Sequence, residues 1–99
     1  MLDRLSRAAK GAHAVMLAAE GRSMSSERFA RHLEDLMSRH ARVAFLVGGA
    51  GGFPPGADAI AHERLSLGPL TLPHRLARLV LVEQIYRALS IVHGEPYHK

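Results

Sequence analysis

Two short apolar runs, separated by an amphipathic stretch, constrain this chain more than anything else in it. Residues 12–18 read AHAVMLA and residues 42–47 read RVAFLV. Each has the length of a strand, and the near-continuous apolarity of the second suits a parallel strand covered on both faces. For the first, bracketed by Gly11 and Gly21, a buried strand is the favoured reading, although periodicity alone does not separate it from a helix. Between the runs, Phe29, Leu33, Leu36, Met37 and His40 recur at helical spacing, and Arg31, Glu34, Asp35 and Arg39 fall on the opposite side. Ser25 or Ser26 is placed to cap that helix, with residues 20–25 expected as a loop before it.

The rest of the chain repeats the alternation. A short helix is expected over residues 2–10, a second short helix over 57–63, a strand over 64–67 and the longest helix over 74–93. The order α-β-α-β-α-β-α predicts one α/β domain, residues 1–99, with a small, mostly parallel sheet flanked by helices. Three strands make a narrow sheet that leaves at least one open edge. A chain of 99 residues buries roughly two-thirds of its unfolded surface, so a leftover apolar face is expected to be covered by a second copy.

Composition excludes some classes. With no Cys, a disulfide framework, a Cys-ligated zinc site and thiol catalysis are ruled out. Residues 1–10 are charged throughout, so no signal peptide is expected. The longest apolar stretch, residues 76–92, is interrupted by Arg78, Glu83, Gln84 and Arg87, which argues against a membrane span. A net charge of +4, carried mostly by Arg, permits an anionic partner such as RNA without requiring one. A cytoplasmic setting is the expectation.

Several local patterns could carry chemistry. Five glycines lie within residues 48–56, directly after the second strand. Glycine there lets backbone N–H groups approach a ligand, yet the pattern is neither a Walker A loop nor a good dinucleotide fingerprint. A binding loop and a flexible connector both remain open. In residues 67–73, Pro69 and Pro73 fix the backbone, and the N–H groups of Leu67, Gly68, Leu70, Thr71 and Leu72 could read an adenine edge; a plain rigid turn is the competing reading. His74 and Arg78 lie one turn apart and share a helix face, which would suit an anionic substrate or merely a solvated first turn. Glu83 and Arg87 are placed for an i,i+4 ion pair. The seven His never form an H-x-x-x-H pair, so no metal site is expected. No nucleophile elbow supports a Ser-His-Asp triad.

Taken together, the stretches FLVGGAGG (45–52), LSLGPLTLPH (65–74), VEQIYRALSI (82–91) and EPYHK (95–99) resemble the SPOUT class of RNA methyltransferases. More narrowly, they resemble the bacterial large-subunit ribosomal RNA pseudouridine-N(3) methyltransferase family. The T-L-P-H run, the L-V-E-Q-I-Y-R-A run and the terminal P-Y-H are the specific part, and the likeness covers nearly the whole chain. It implies a C-terminal trefoil knot, an exception to the rule against threaded chains. It also implies S-adenosylmethionine as cofactor, held by Leu17, Gly48, Gly49, Leu67, Gly68, Pro69, Leu70, Thr71 and Leu72. By the same likeness His74, Arg78, Tyr97 and His98 lie near the methyl-transfer site and the RNA. His98 is then a base or positioning group, with Arg78 and Lys99 holding phosphate or base carbonyls. The family works as a homodimer through the C-terminal helix, the tail of one subunit completing the other's site.

The sequence departs from that family pattern in three places. The chain is short, lacking two strands that family members usually carry at the N-terminal side. Ala50 and Gly51 stand where the family loop has a proline and an acid, and Ala18 stands where an acid is common. These departures keep two rivals in view: a shortened, knotted dimeric scaffold with catalysis weak or lost, and an RNA-binding module that needs no cofactor.

Overall fold

A computed structural model describes residues 2–49, 51–68, 70 and 72–95. Helix α1 (Leu2–Ala9) leads through Gly11 into strand β1 (His13–Ser23). Helix α2 (Ser26–Arg39), strand β2 (Val43–Leu46), a single 3-10 turn (Ala57–Ala59), strand β3 (Glu63–Ser66) and helix α3 (His74–Val92) follow. The three strands form one parallel sheet in the order β2-β1-β3. The α/β class and the parallel sheet are therefore as the alternation predicts.

The central strand explains its own sequence. Val15 packs with Phe29, Ala30, Leu33, Leu36, Leu65 and Ala88, which places α2 and α3 on one face of the sheet. Its neighbours Ala14 and Met16 pack on the other face with Ala9, Leu46 and Ala57. Successive side chains of a strand point to opposite faces, so the stretch of β1 covered on both sides, Ala14 to Met16, is apolar at every position. By contrast β2 lies at an edge of the sheet, and its Val43, Ala44 and Phe45 are only half-buried. β2 is nonetheless covered on both faces, as its apolarity predicts: Val43 and Phe45 pack with the Val15 cluster and Leu46 with the Ala14–Met16 cluster, and it is the hydrogen-bonding edge away from β1 that is uncovered among the described residues.

Other boundaries also move. Residues 20–23, expected as loop, continue β1 to Ser23. Leu17 and Arg22 both oppose Leu65, so residues 18–21 form a bulge and pairing resumes beyond it. Gly21 makes this possible, because a Cβ at that position would meet the Leu65 backbone at 2.8 Å. The expected helix over residues 57–63 shrinks to one 3-10 turn. The reason lies in residue 62: His62 N–H donates to the Ala14 carbonyl at 2.8 Å, drawing the chain into the sheet before a helix can propagate. On α2, Ser25 caps the helix by accepting the Arg28 N–H at 3.1 Å. Phe29, Ala30, Leu33 and Leu36 are its buried face; Met37, expected in that stripe, is 45% exposed.

At the N-terminal end of the sheet one carboxylate ties three elements together. Glu63 on β3 accepts from His32 Nε2 of α2 at 2.6 Å and from His13 Nε2 of β1 at 3.3 Å. Burial pushes the Glu63 carboxyl up, but hydrogen bonds from His32 and His13, and their charges, outweigh it and hold the group below its ordinary value of 4.5. A depressed carboxylate stabilises the fold above its unfolded value and loses that contribution as pH falls through the folded value. Glu63→Gln is therefore expected to lower the melting temperature at about pH 7 and to remove the part of the acid destabilisation that the parent chain should show as pH falls below the ordinary carboxylate value of 4.5. Thermal melts of both proteins across that range check it.

Candidate cofactor cavity at the strand ends

In a parallel α/β sheet, ligands bind beyond the carboxyl ends of the strands, where the connecting loops diverge. A cavity of about 640 Å³ lies at that end. Leu17, Ala18 and Ala19 enter it from β1, Val47, Gly48, Gly49, Gly52 and Phe53 from the loop after β2, and Leu67, Gly68, Leu70 and Leu72 from the loop after β3. Pro73, His74 and Ala77 close it from the start of α3. Its volume lies within the range of small-molecule and cofactor sites.

The walls are apolar side chains and glycine backbone. The loop after β2 folds on itself, with Gly52 N–H donating to the Gly49 carbonyl at 2.9 Å. Space over the α-carbons of Gly52 and Gly68 is open for at least 4 Å, so a flat or curved ligand can lie against the chain there. The N–H of Gly68 is engaged by Ser66 Oγ at 3.1 Å, and that hydroxyl donates in turn to the Gly68 carbonyl. Gly68 thus offers surface to a ligand, and reading of polar edges is left to its neighbours. His74 is the titratable side chain among the described residues that line the cavity, and none of those residues is a carboxylate.

Of the residues singled out from the sequence, the structure brings Leu17, Gly48, Gly49, Leu67, Gly68, Leu70, Leu72 and His74 together on this one cavity. Arg78 is not in its wall; it lies on the exposed side of α3, one turn beyond His74. Pro69, Thr71, Tyr97, His98 and Lys99 lie outside the described residues. Sequence reading missed Ala19, Phe53 and Ala77. Only their position against the glycine and proline loops puts them in the wall, and nothing in their residue type marks them.

Two further features surround the cavity. The Glu83–Arg87 pair forms as its spacing predicts, with Arg87 donating to Glu83 Oε2 at 2.7 Å. Along α3, Leu76, Leu79, Val82 and Tyr86 are exposed. They recur every three or four residues, so they form one apolar stripe. Among the described residues no helix is long and apolar enough to cross a membrane.

Comparison with known proteins agrees with this architecture. The family model described as "Predicted SPOUT methyltransferase" matches residues 2–98. The chain is 52% identical over 94 residues to the ribosomal RNA large subunit methyltransferase H of Sorangium cellulosum, covering 94% of this chain and 65% of that protein. It is 47% identical over 90 residues to the protein of the same name from Stenotrophomonas maltophilia, covering 91% of this chain and 58% of the relative. For the Listeria monocytogenes protein of that name the figures are 51% over 89 residues, 89% and 56%. The chain therefore spans between half and two-thirds of the length of these curated relatives. With the family model matched from end to end and identities near one-half, the chain belongs to the SPOUT methyltransferase family.

Proposed function

We propose that this chain binds S-adenosylmethionine in the strand-end cavity and transfers its methyl group to a pseudouridine base nitrogen of large-subunit ribosomal RNA. The observation that carries the reading is the meeting of the glycine loop, the proline loop and the middle of β1, at Leu17, Ala18 and Ala19, on a single cavity, in a chain whose relatives are named as ribosomal RNA methyltransferases. Apolar walls of that size suit an adenosine. Leu17, Gly48, Gly49, Leu67, Gly68, Leu70 and Leu72 would hold the cofactor, with Pro69 and Thr71 from the same loop. Bound, its sulfonium supplies a methyl group that is already electrophilic.

The chain's own task is then placement and proton removal. His74, at the mouth of the cavity, orients the base. Arg78, one turn along, holds a phosphate or a base carbonyl through its guanidinium fork. His98 takes the proton from the base N–H, a role an imidazole fills near neutral pH, and Tyr97 and Lys99 position it against the RNA. The domain works in this reading as a cytoplasmic homodimer with a C-terminal trefoil knot, packed through α3. The apolar stripe of Leu76, Leu79, Val82 and Tyr86 supports that packing, because an exposed stripe of this kind marks an interaction surface.

A second reading has its own observation. The described lining residues include no carboxylate, and by the sequence resemblance Ala18 and Gly51 stand where acids are usual. A dimeric scaffold with weak cofactor binding would look the same. Calorimetric titration of S-adenosylmethionine into the protein, with the oligomeric state fixed by light scattering, separates the two. A dimer that binds at micromolar affinity is the expected result. A folded dimer that gives no heat at millimolar cofactor would overturn the catalytic reading and leave the scaffold.

A further inference from the structure

The opposite end of the sheet carries a cluster of titratable side chains that methyl transfer does not use. Four imidazoles and one carboxylate meet there, drawn from β1 (His13), α2 (His32), the residue that caps its C-terminus (His40), and the entry to β3 (His62 and Glu63). The His13 ring is stacked on both sides, against His40 with centroids 4.5 Å apart and against His62 at 5.0 Å. Glu63 satisfies His13 and His32, as described above. Of the remaining charged groups on these elements, Arg64 is paired with Asp58 of the 3-10 turn at 3.0 Å. Arg39 is paired with Asp35 at 2.8 Å. The Arg42 guanidinium donates to the carbonyls of Ala8 and Lys10. Among the described residues, no three side chains are arranged to hold a metal ion.

His62 differs from the other three in what its ring nitrogen does. The backbone N–H of Ala14 donates to His62 Nδ1 at 2.9 Å, and His62 N–H donates back to the Ala14 carbonyl. Ala14 is completely buried. For Nδ1 to accept, the imidazole must be neutral with its proton on Nε2. A second proton can go only to Nδ1, where the Ala14 N–H already points. Protonation therefore breaks this hydrogen bond, leaves a buried N–H unsatisfied, and puts a cation 5.0 Å from the His13 ring. His62 is itself exposed, so its ring can swing into water when that happens. His32 and His13, each bonded to Glu63 through Nε2, keep their partner on taking a second proton.

We propose that His62 is a proton-operated latch that fastens the entry of β3 to β1 at neutral pH and releases it in mild acid, leaving the cavity at the other end of the sheet in place. Sequence separation hides the device: His62 and Ala14 are far apart in the chain and meet only because β1 and β3 are neighbours.

Native-state hydrogen exchange tests it. Protection of the Ala14 amide, corrected for intrinsic exchange, is measured at about pH 7.5 and about pH 5.5. The protection factor is expected to fall about tenfold or more in the parent chain while that of Met16 on the same strand holds. In His62→Asn, whose side-chain oxygen can replace Nδ1 as acceptor but cannot take a proton, protection of Ala14 is expected to be the same at both pH values. Equal protection at both pH values in the parent chain, or the same fall in His62→Asn, would overturn the proposal. Should that variant fail to fold, nitrogen shifts of the imidazoles in the parent protein decide: a proton on His62 Nδ1 at neutral pH would end the idea, and a bare Nδ1 that gains its proton as Ala14 loses protection would sustain it.

Discussion

Replacing Gly21 by alanine is expected to lower the stability of this domain by about 1–3 kcal/mol, as forced overpacking does, and Gly21→Val by more. The cause is specific. A Cβ at residue 21 would sit 2.8 Å from both the nitrogen and the carbonyl carbon of Leu65 and 2.9 Å from the carbonyl carbon of Arg64. Those are backbone atoms, so no rotamer change relieves the clash. The chain must either part β1 from β3 or give up the bulge that lets Arg22 and Ser23 pair with Leu65 and Ser66. Leu65 and Ser66 lead directly into the proline loop, so the same change is expected to weaken cofactor binding beyond what lost stability explains. For a domain of this size each kcal/mol moves the melting temperature by roughly 4–8 °C, which a thermal melt resolves easily. A melt unchanged from the parent chain would mean the bulge carries no strain at residue 21. Gly51→Ala is the natural control, because nothing lies within 4 Å of a Cβ there.

If the chain methylates ribosomal RNA as proposed, Arg78→Ala is expected to cut that transfer by about a hundredfold, the scale seen when a donor that stabilises the transition state is lost. Arg78 is exposed and not in the cavity wall, so the cofactor should bind as before and the fold should melt as before. The defect should appear with RNA. Arg78→Lys is the informative companion: a lysine keeps the charge but loses the planar fork. Partial recovery by lysine indicates a phosphate contact, and none indicates a bidentate contact to a base. Unchanged turnover in Arg78→Ala would remove the residue from the mechanism and leave His74 as the polar group on that helix face nearest the cavity.

Much of the fold is legible in the sequence because apolar spacing reports burial directly. Within AHAVMLA the successive apolar residues Ala14, Val15 and Met16 are buried on alternating faces of the sheet; the spacing of Phe29, Leu33 and Leu36 is that of the buried face of α2. The pairing of Glu83 with Arg87 is local and follows from helical geometry alone. The errors share a different cause. The coverage of β2 on both faces follows from its apolarity, whereas its place at an edge of the sheet does not, because strand order is set by connections across the sheet rather than by composition. The continuation of β1 to Ser23 depends on the backbone of Leu65, remote in sequence. The helix expected over residues 57–63 gives way to pairing between His62 and Ala14.

The candidate site divides along the same line. The glycine loop and the proline loop are local signals, and each was ambiguous alone. Their meeting with Leu17 on one cavity is a product of parallel topology, which sends the loops leaving β2 and β3 to the same side of the sheet, over the part of β1 just before its bulge. The histidine cluster was invisible for the converse reason: the seven His show no metal-binding or helical spacing, and nothing local ties His13 to His62.

By itself, the sequence determined the alternating order of strands and helices, though not the extent of β1 or the turn at Ala57–Ala59, and also which loops hold glycine and proline and the family to which those motifs point. Periodicity and turn chemistry act over a few residues, and that is enough for such features. Only the tertiary structure decided the strand order, the bulge at Gly21, the cavity and the His62–Ala14 latch. Each of these depends on atoms brought within hydrogen-bond or van der Waals distance across the sheet, and a contact of that kind leaves no periodic trace in the chain that makes it.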